Sequence, residues 1–205
     1  MSQAKIRVNY SIKLGVTGGM GCGKSSATHM FAAAGFECLD SDAVVKDEVL
    51  TDPQVLDAIR EKFGDAVFGA DKQLNRGRLG ERVFGSDDEL RWLESWVHPR
   101  LFREWRRRLE GNPAGSWAIE VPLLFEKQLE NWFDFIVCVA SSPNQQLAWL
   151  EQRGIPRLLA EQRISKQLPL AKKIELSDFV LWNDGSIDFL QQQVDLLISN
   201  LAARS

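Results

Sequence analysis

The stretch Gly18-Gly19-Met20-Gly21-Cys22-Gly23-Lys24-Ser25 decides the fold of this chain. An apolar run at residues 12–17 comes before it, and a helical pattern at residues 26–34 follows it. A strand, a glycine-rich loop ending in a lysine and a hydroxyl residue, and a helix occur in this order in the phosphate-binding P-loop. Glycines allow consecutive backbone N–H groups to point at phosphate oxygens, and the helix N-terminus adds further donors. The stretch therefore predicts a nucleotide-binding loop, rather than a glycine-rich turn with an incidental lysine.

Several side chains of this loop have predicted roles. Lys24, at a position expected to be solvated, reaches the outer phosphates, and the Ser25 hydroxyl ligates Mg²⁺. Cys22 is either an oxidation-sensitive thiol beside a helix N-terminus or a small residue that fits the loop, and we favour the second interpretation. The residues predicted to contact the nucleotide are Gly19, Gly21, Cys22, Gly23, Lys24, Ser25 and Ser26.

Length and composition indicate one compact unit with inserted lobes. The chain has 205 residues, of which 44% are hydrophobic and 26% charged, as is ordinary for a globular protein. The formal net charge of -3 argues against general nucleic-acid binding, which needs a basic surface. No apolar run approaches the length that spans a membrane. We therefore predict small-molecule partners, without nucleic acid or membrane, and leave the oligomeric state open.

Cysteine usage and the first residues favour a reducing cytoplasm. The three cysteines, Cys22, Cys38 and Cys138, are odd in number and lack metal-ligand spacing. Residues 1–11 are polar and lack the apolar middle of a signal peptide, so we expect a short, frayed extension there.

Alternating strand and helix patterns predict an α/β fold. The predicted strands span residues 12–17, 36–40, 117–121, 135–140 and 179–182. Apolar strands separated by helices form a mostly parallel sheet covered on both faces, with ligands beyond the carboxyl ends of the strands. We expect the second strand to lie beside the P-loop strand.

Two helical insertions interrupt this pattern. About 75 residues separate the second and third strands, which is too long for a simple crossover. They contain a helix at residues 53–63, a loop at 64–75, a capping box from Ser86 to Glu89 and a basic helix at 101–109, with a helix boundary expected at His98-Pro99. The second insertion, residues 145–176, has six basic residues, most of which we assign to a solvated face.

Candidate catalytic groups follow the strands. Asp42 lies just past the second strand. It either acts in the reaction, by accepting a proton or supporting Mg²⁺, or is an acid in the first turn of a helix that interacts favourably with the helix dipole. Glu120 ends an apolar strand, and is either a metal- or acceptor-site residue or an outward-facing residue at the sheet edge. In the second insertion, Arg153 before the possible hinge Gly154 is the first candidate for a lid arginine over the phosphates, and Arg163 the second. His98 either binds substrate or is a structural turn residue.

These features together resemble the dephospho-coenzyme A kinase family over residues 12–200. The resemblance is carried by the P-loop, by Asp40-Ser41-Asp42 and by His98-Pro99. It continues through Val121-Pro122-Leu123-Leu124-Phe125-Glu126, Arg163-Ile164-Ser165-Lys166-Gln167, Ser177-Asp178, Asn183 and Gly185. Two departures are mild: Cys22 replaces a residue that is often serine, and Ser177 a frequent alanine. The family is variable, though often acidic, at Glu120.

The resemblance implies a three-layer P-loop kinase that transfers the γ-phosphate of ATP to the ribose 3′-hydroxyl of dephospho-CoA, with Mg²⁺. It implies a core of residues 12–40, 112–144 and 178–205, an acceptor-binding lobe at 41–111 and a lid at 145–177. By matching positions, Asp42 is the base, Lys24 and Arg153 serve the phosphates, and Asn183 and Gly185 lie near the adenine. The acceptor is expected at Asp42, His98, Pro122 and Leu123.

A GTPase-type switch or regulatory ATPase is the alternative of another class. A switch would be expected to carry a guanine-reading Asn-Lys-x-Asp and an Asp-x-x-Gly after the third strand, and the chain has neither. A nearer alternative is a kinase for another nucleoside or small alcohol, which dependence on the acceptor would distinguish.

Overall fold

The computed structural model describes residues 11–203, and the expectation for residues 1–10 lies outside that range. A five-stranded parallel sheet organises the chain, in the strand order β2-β3-β1-β4-β5. The strands are β1 (Lys13–Gly18), β2 (Glu37–Asp40), β3 (Trp117–Glu120), β4 (Phe135–Ala140) and β5 (Phe179–Trp182). The predicted α/β class and five-stranded parallel sheet are confirmed.

The neighbour of the P-loop strand differs from the expectation. β3, not β2, pairs with β1, with Val16 opposite Glu120, and β2 pairs with the other side of β3, with Asp40 opposite Glu120. The prediction that the second strand adjoins the first was therefore wrong. Local hydrophobicity shows that a strand is buried but not which strand it pairs with, and the long segment between β2 and β3 lets the chain return to the gap beside β1.

Helices cover both faces of the sheet. The helices outside the long insertion are α1 (Lys24–Ala33), α6 (Pro143–Gln152), α7 (Arg157–Ser165), α8 (Leu170–Leu176) and α9 (Ile187–Ala202). On one face α1 and α9 pack over Leu14, Val16 and Val137 in the main hydrophobic core. On the other face α8 contacts β1 and β4, and a Cβ at Gly15 would lie 2.7 Å from the Leu124 and Phe133 side chains. These contacts build the three layers of the fold.

Ser41–Asn112 forms a second compact unit, separate from residues 11–40 and 113–203. Its helices are α2 (Ser41–Val44), α3 (Pro53–Phe63), α4 (Arg76–Val83) and α5 (Asp87–Gly111). The predicted helix at 53–63 is present. The predicted loop at 64–75 contains a 3₁₀ turn (Asp65–Val67) and an isolated bridge between Phe68 and Leu74. The sequence analysis missed α4, whose glycines and charges hide its periodicity and whose start is capped by Asn75.

The helix boundary expected at His98-Pro99 was wrong, because α5 continues through Pro99. Proline lacks a backbone N–H and ordinarily ends or kinks a helix. On both sides of Pro99 the helix contacts α3: the Trp92 ring meets Phe63 edge-on at 5.2 Å, and Arg100 Nη2 donates to Gln54 Oε1 at 3.1 Å. Tertiary packing therefore overrides the local preference.

No helix within residues 11–203 is both long enough and apolar enough to cross a membrane.

Candidate active site

The P-loop begins where β1 ends, and two of its glycines are required by close packing. Gly18 has a φ of 140°, and a Cβ there would lie 2.1 Å from the Val139 carbonyl oxygen. Gly23 has a φ of 88° immediately before α1, and its Cβ would lie 2.2 Å from Asn183 Nδ2. A larger residue at either position would displace backbone or an anchoring side chain, so the spacing of these glycines is set by geometry.

Side chains that follow β4 and β5 anchor the loop at Cys22. Asn183 Nδ2 donates to the Cys22 carbonyl oxygen at 3.0 Å. Ser141 Oγ lies 3.5 Å from the same oxygen and donates to the Asn183 carbonyl oxygen at 3.0 Å. Gln146 Nε2 lies 2.7 Å from Cys22 Sγ. Asn183, Ser141 and Gln146 are all buried. The loop is therefore fixed by the ends of two neighbouring strands and the start of α6.

The Lys24 side chain turns back into the P-loop. The expectation that this side chain is solvated was therefore wrong. Its side chain is only 8% exposed, and Nζ donates to the Gly19 carbonyl oxygen at 3.0 Å and to that of Gly18 at 3.5 Å. Two carbonyl oxygens of the loop therefore hold the ammonium group at the start of the loop. A lysine held beside a glycine-rich loop and a helix N-terminus suits the binding of phosphate oxygens.

Glu120 lies at the carboxyl end of β3, between β2 and β1, and is 7% exposed. The alternative of an outward-facing edge residue was therefore wrong. Ser25 Oγ donates to Glu120 Oε1 at 3.4 Å, so a hydroxyl and a carboxylate meet at the start of α1. Oxygen donors of this kind suit Mg²⁺, which takes few protein ligands and keeps several waters. The Ser25–Glu120 pair fits the predicted metal site. A site made of three or more His, Cys, Asp or Glu side chains does not occur within residues 11–203.

A cavity of about 300 Å³ opens beside the P-loop in the first unit. It is lined by Gly23, Ser26, Trp149, Gln152, Arg153, Asn183, Gly185 and Ile187. The lining thus brings together five predicted residues, Gly23, Ser26, Arg153, Asn183 and Gly185. Arg153 follows the last residue of α6 and precedes Gly154, whose φ of 78° sharply turns the chain. The sequence analysis missed Trp149, Gln152 and Ile187, although Trp149 lies one helical turn before Arg153 and therefore on the same face.

Other predicted residues are not part of the lining of this cavity. Pro122 and Leu123 belong to the first unit, in the loop after β3, where Leu123 is exposed. Arg163 is exposed near the end of α7. Asp42 and His98 belong to the second unit.

Asp42 is exposed in the first turn of α2, two residues past the end of β2. His98 lies in the middle of α5, where its ring stacks on Phe102 with 5.7 Å between ring centres. The alternative of His98 as a structural turn residue was therefore wrong.

The three cysteines form no disulfide. Cys22 and Cys138 are fully buried, which favours the interpretation of Cys22 as a small residue that fits the loop. Burial, aided by the nearby Cys22, raises the pKa of the Cys138 thiol to about 12. Burial and the adjacent Glu37 carboxylate raise the pKa of the Cys38 thiol to about 11. Only the thiolate is nucleophilic, so the Cys38 and Cys138 thiols are unreactive at neutral pH.

We therefore expect the folded protein to resist alkylation. At pH 8 a thiol with a pKa near 12 is ionised in only about one molecule in 10⁴. Mass spectrometry after iodoacetamide treatment should show no adduct at Cys138, nor at Cys22 because its thiol is fully buried, until urea unfolds the chain, when all three cysteines react. Adduct formation at Cys22 in the folded protein would revive the oxidation-sensitive interpretation.

Comparison with known proteins supports the geometric assignment. A model of the family described as "Dephospho-CoA kinase" matches residues 12–188. A dephospho-CoA kinase of Thermosynechococcus vestitus is 40% identical over 192 residues, covering 93% of this chain and 95% of that protein. The crystal structure of the Thermus thermophilus protein TT1252 superposes with a TM-score of 0.84 at 28% identity, covering 94% of this chain and 98% of that one. A dephospho-CoA kinase structure from Campylobacter jejuni has a TM-score of 0.68 at 21% identity, covering 93% and 97%, and supports the fold.

Proposed function

The chain belongs to the dephospho-CoA kinase family, and from this premise and the site geometry we infer its reaction and the residues that carry it out. It transfers the γ-phosphate of ATP to the ribose 3′-hydroxyl of dephospho-CoA, the final step of coenzyme A biosynthesis. The observation that carries the inference is the P-loop, in which Lys24 is buried next to the Ser25–Glu120 pair. The reaction takes place in the reducing cytoplasm and requires neither nucleic acid nor membrane.

Phosphate binding falls to the P-loop. The backbone N–H groups from Gly19 to Ser26 receive the phosphate oxygens, and Lys24 supplies a positive charge at the outer phosphates. Little covalent chemistry is needed of the protein in phosphoryl transfer, where positioning and charge stabilisation dominate. Ser25 and Glu120 are the residues that would hold Mg²⁺, which would supply positive charge to neutralise the phosphates.

The acceptor side is assigned to Asp42 and the lobe at residues 41–111. The acceptor 3′-oxygen attacks the γ-phosphorus, the bond from that phosphorus to the β–γ bridging oxygen breaks, and ADP leaves. Asp42 takes the proton released by the hydroxyl, as an exposed carboxylate can do. His98, Pro122 and Leu123 bind the acceptor.

The nucleotide base and the lid belong to the cavity beside the P-loop. Asn183 and Gly185 line the cavity next to Gly23, which supports an adenine site at this position. Arg153, from the lid at residues 145–177, lines the same cavity, from which its flexible side chain reaches the phosphates. A lid that covers them excludes water, which would otherwise compete as the acceptor.

A panel of acceptors tests this function. With ATP and Mg²⁺, dephospho-CoA should increase ADP formation strongly and should gain the mass of one phosphoryl group. Adenosine, shikimate and gluconate serve as controls and should gain none. An ATPase rate that is indifferent to all acceptors would favour the switch, and phosphorylation of another alcohol in preference to dephospho-CoA would favour the nearer alternative.

A further inference from the structure

Lys173 is a fully buried lysine that the phosphoryl transfer described above does not use. It lies on α8, and its side chain is 0% exposed. Nζ donates to the Pro122 carbonyl oxygen at 2.7 Å and lies 2.9 Å from Glu126 Oε1. The sequence had placed Lys173 among basic residues of a solvated helix face, and for this residue that assignment was wrong.

The contacts of this ammonium group join three separate segments. The Pro122 carbonyl oxygen also accepts from Thr17 Oγ1 at 3.4 Å, and Thr17 is the last residue but one of β1. Glu126 Oε1 also accepts from the backbone N–H of Leu168, between α7 and α8, at 2.9 Å. Lys173 therefore connects the end of β1, the loop after β3 and the segment that follows α7.

The Lys173–Glu126 pair is an expensive way to stabilise the fold, because Lys173 is fully buried and the Glu126 side chain is only 18% exposed. Removing an ammonium group and a carboxylate from water has a large desolvation penalty, and apolar residues of similar volume often give equal or greater stability. Within the described residues, Glu126 Oε2 is buried without a hydrogen-bond partner, so the pair is not optimised for stability. The adjacent Lys172 shows the ordinary arrangement, an exposed ion pair with Glu175.

The atom that Lys173 fixes lies in the loop assigned to the acceptor. Pro122 follows Val121, whose backbone N–H donates to the Val16 carbonyl oxygen in the last ladder contact of β3. Beyond that contact the loop leaves the sheet, and Leu123, the next residue after Pro122, is exposed. The Pro122 carbonyl is therefore the point at which the direction of the loop is set.

We propose that Lys173 is a positioning residue for the acceptor, which orients the Pro122-Leu123 segment by holding the Pro122 carbonyl oxygen. This inference rests on the proposed function. The nucleotide side should be independent of Lys173, because Asn183, Ser141 and Gln146 anchor the P-loop by their own contacts with Cys22. The ligand affected is an extended acceptor that bears the reacting hydroxyl, and the donor is unaffected.

Lys173→Met tests the proposal, with Lys172→Met as the matched control from the neighbouring exposed position. We expect the KM for dephospho-CoA to rise about tenfold in Lys173→Met, a loss of acceptor binding, while the Kd for ATP measured by calorimetry stays within about twofold of wild type. Lys172→Met should resemble wild type in both. An unchanged KM for dephospho-CoA in folded Lys173→Met would overturn the proposal while leaving the proposed function intact. A wild-type protein that does not phosphorylate dephospho-CoA would instead overturn the proposed function and this inference with it.

A double variant separates positioning from stability. Lys173→Met leaves the largely enclosed carboxylate of Glu126, whose side chain is 18% exposed, without its counterion and is expected to lower the melting temperature. Lys173→Met with Glu126→Gln removes both charges and keeps an acceptor for the Leu168 N–H, so the melting temperature should return towards wild type. Under the proposal the raised KM persists in this stable double variant. A KM that recovers together with the melting temperature would show a structural role only, and the double variant still decides the question if the single variant does not fold.

Discussion

Asp42→Asn is expected to lower kcat for phosphorylation of dephospho-CoA by about 10²–10⁴-fold, the range for loss of a general base. Asparagine has nearly the same shape as aspartate but cannot take the proton from the acceptor hydroxyl. Because proton transfer occurs in the transition state, kcat and kcat/KM should fall together while the Kd for ATP is unchanged. Steady-state kinetics with both substrates and calorimetry with ATP measure these quantities.

Asp47→Asn is the matched control, since Asp47 is an exposed acid in the same unit, beside Lys46. It should retain wild-type kinetics. If Asp42→Asn weakens only ATP binding and leaves kcat intact, Asp42 positions a ligand and is not the base. The first-turn alternative predicts a different outcome again, a lower melting temperature with unchanged kinetics, because a helix-dipole contact acts on the folded state.

Lys24→Met is expected to reduce kcat by about 10²–10³-fold, comparable to removing one preorganised donor to a developing negative charge. Methionine preserves most of the length and volume of lysine without its charge. This matters because Lys24 is buried in the loop, and alanine would leave an unfilled space beside the Gly18 and Gly19 carbonyl oxygens. Single-turnover measurements with saturating ATP report the chemical step directly.

Lys46→Met, at an exposed lysine, is the control for loss of one positive charge. Circular dichroism and thermal melting should show that Lys24→Met is folded, although the carbonyl oxygens of Gly18 and Gly19 lose a donor. Turnover by folded Lys24→Met at the wild-type rate would contradict the assignment of the P-loop as the catalytic phosphate site.

Local sequence patterns were sufficient for the elements of the sheet. β4 and β5 begin and end where the apolar runs predicted, because their side chains are buried on one or both faces and the runs are bounded by polar residues. Pairing is a different matter, since an apolar run shows that a strand is present but not which strand lies next to β1. The continuous α5 is a third case, in which contacts of Trp92 and Arg100 with α3 outweigh the local effect of Pro99.

For the site, the sequence could show which residues follow strands but not which helical side chains turn inward. Asn183, Glu120 and the P-loop all lie at carboxyl ends of strands, where parallel sheets concentrate ligand contacts. Trp149 lines the cavity from the middle of α6. Without the elements that pack against α6, the sequence does not show which face of this helix is turned towards the cavity. Lys173 is harder still, because Lys172 and Lys173 are adjacent and identical in type, and only the fold decides that one is exposed and the other buried.

The anchoring of Cys22 by Asn183, Ser141 and Gln146 bears on which triphosphates the protein accepts. Because the conformation of the P-loop is fixed on folding, the loop loses little conformational entropy when a nucleotide binds. Part of the entropic penalty of association is therefore avoided. Main-chain amides, however, bind the phosphates of any nucleoside triphosphate in the same way and do not distinguish one nucleoside from another. The side chains that line the neighbouring cavity must then select among nucleotide donors. Substitution of Trp149 or Gln152 should change the preference between purine nucleotides without weakening the binding of the triphosphate.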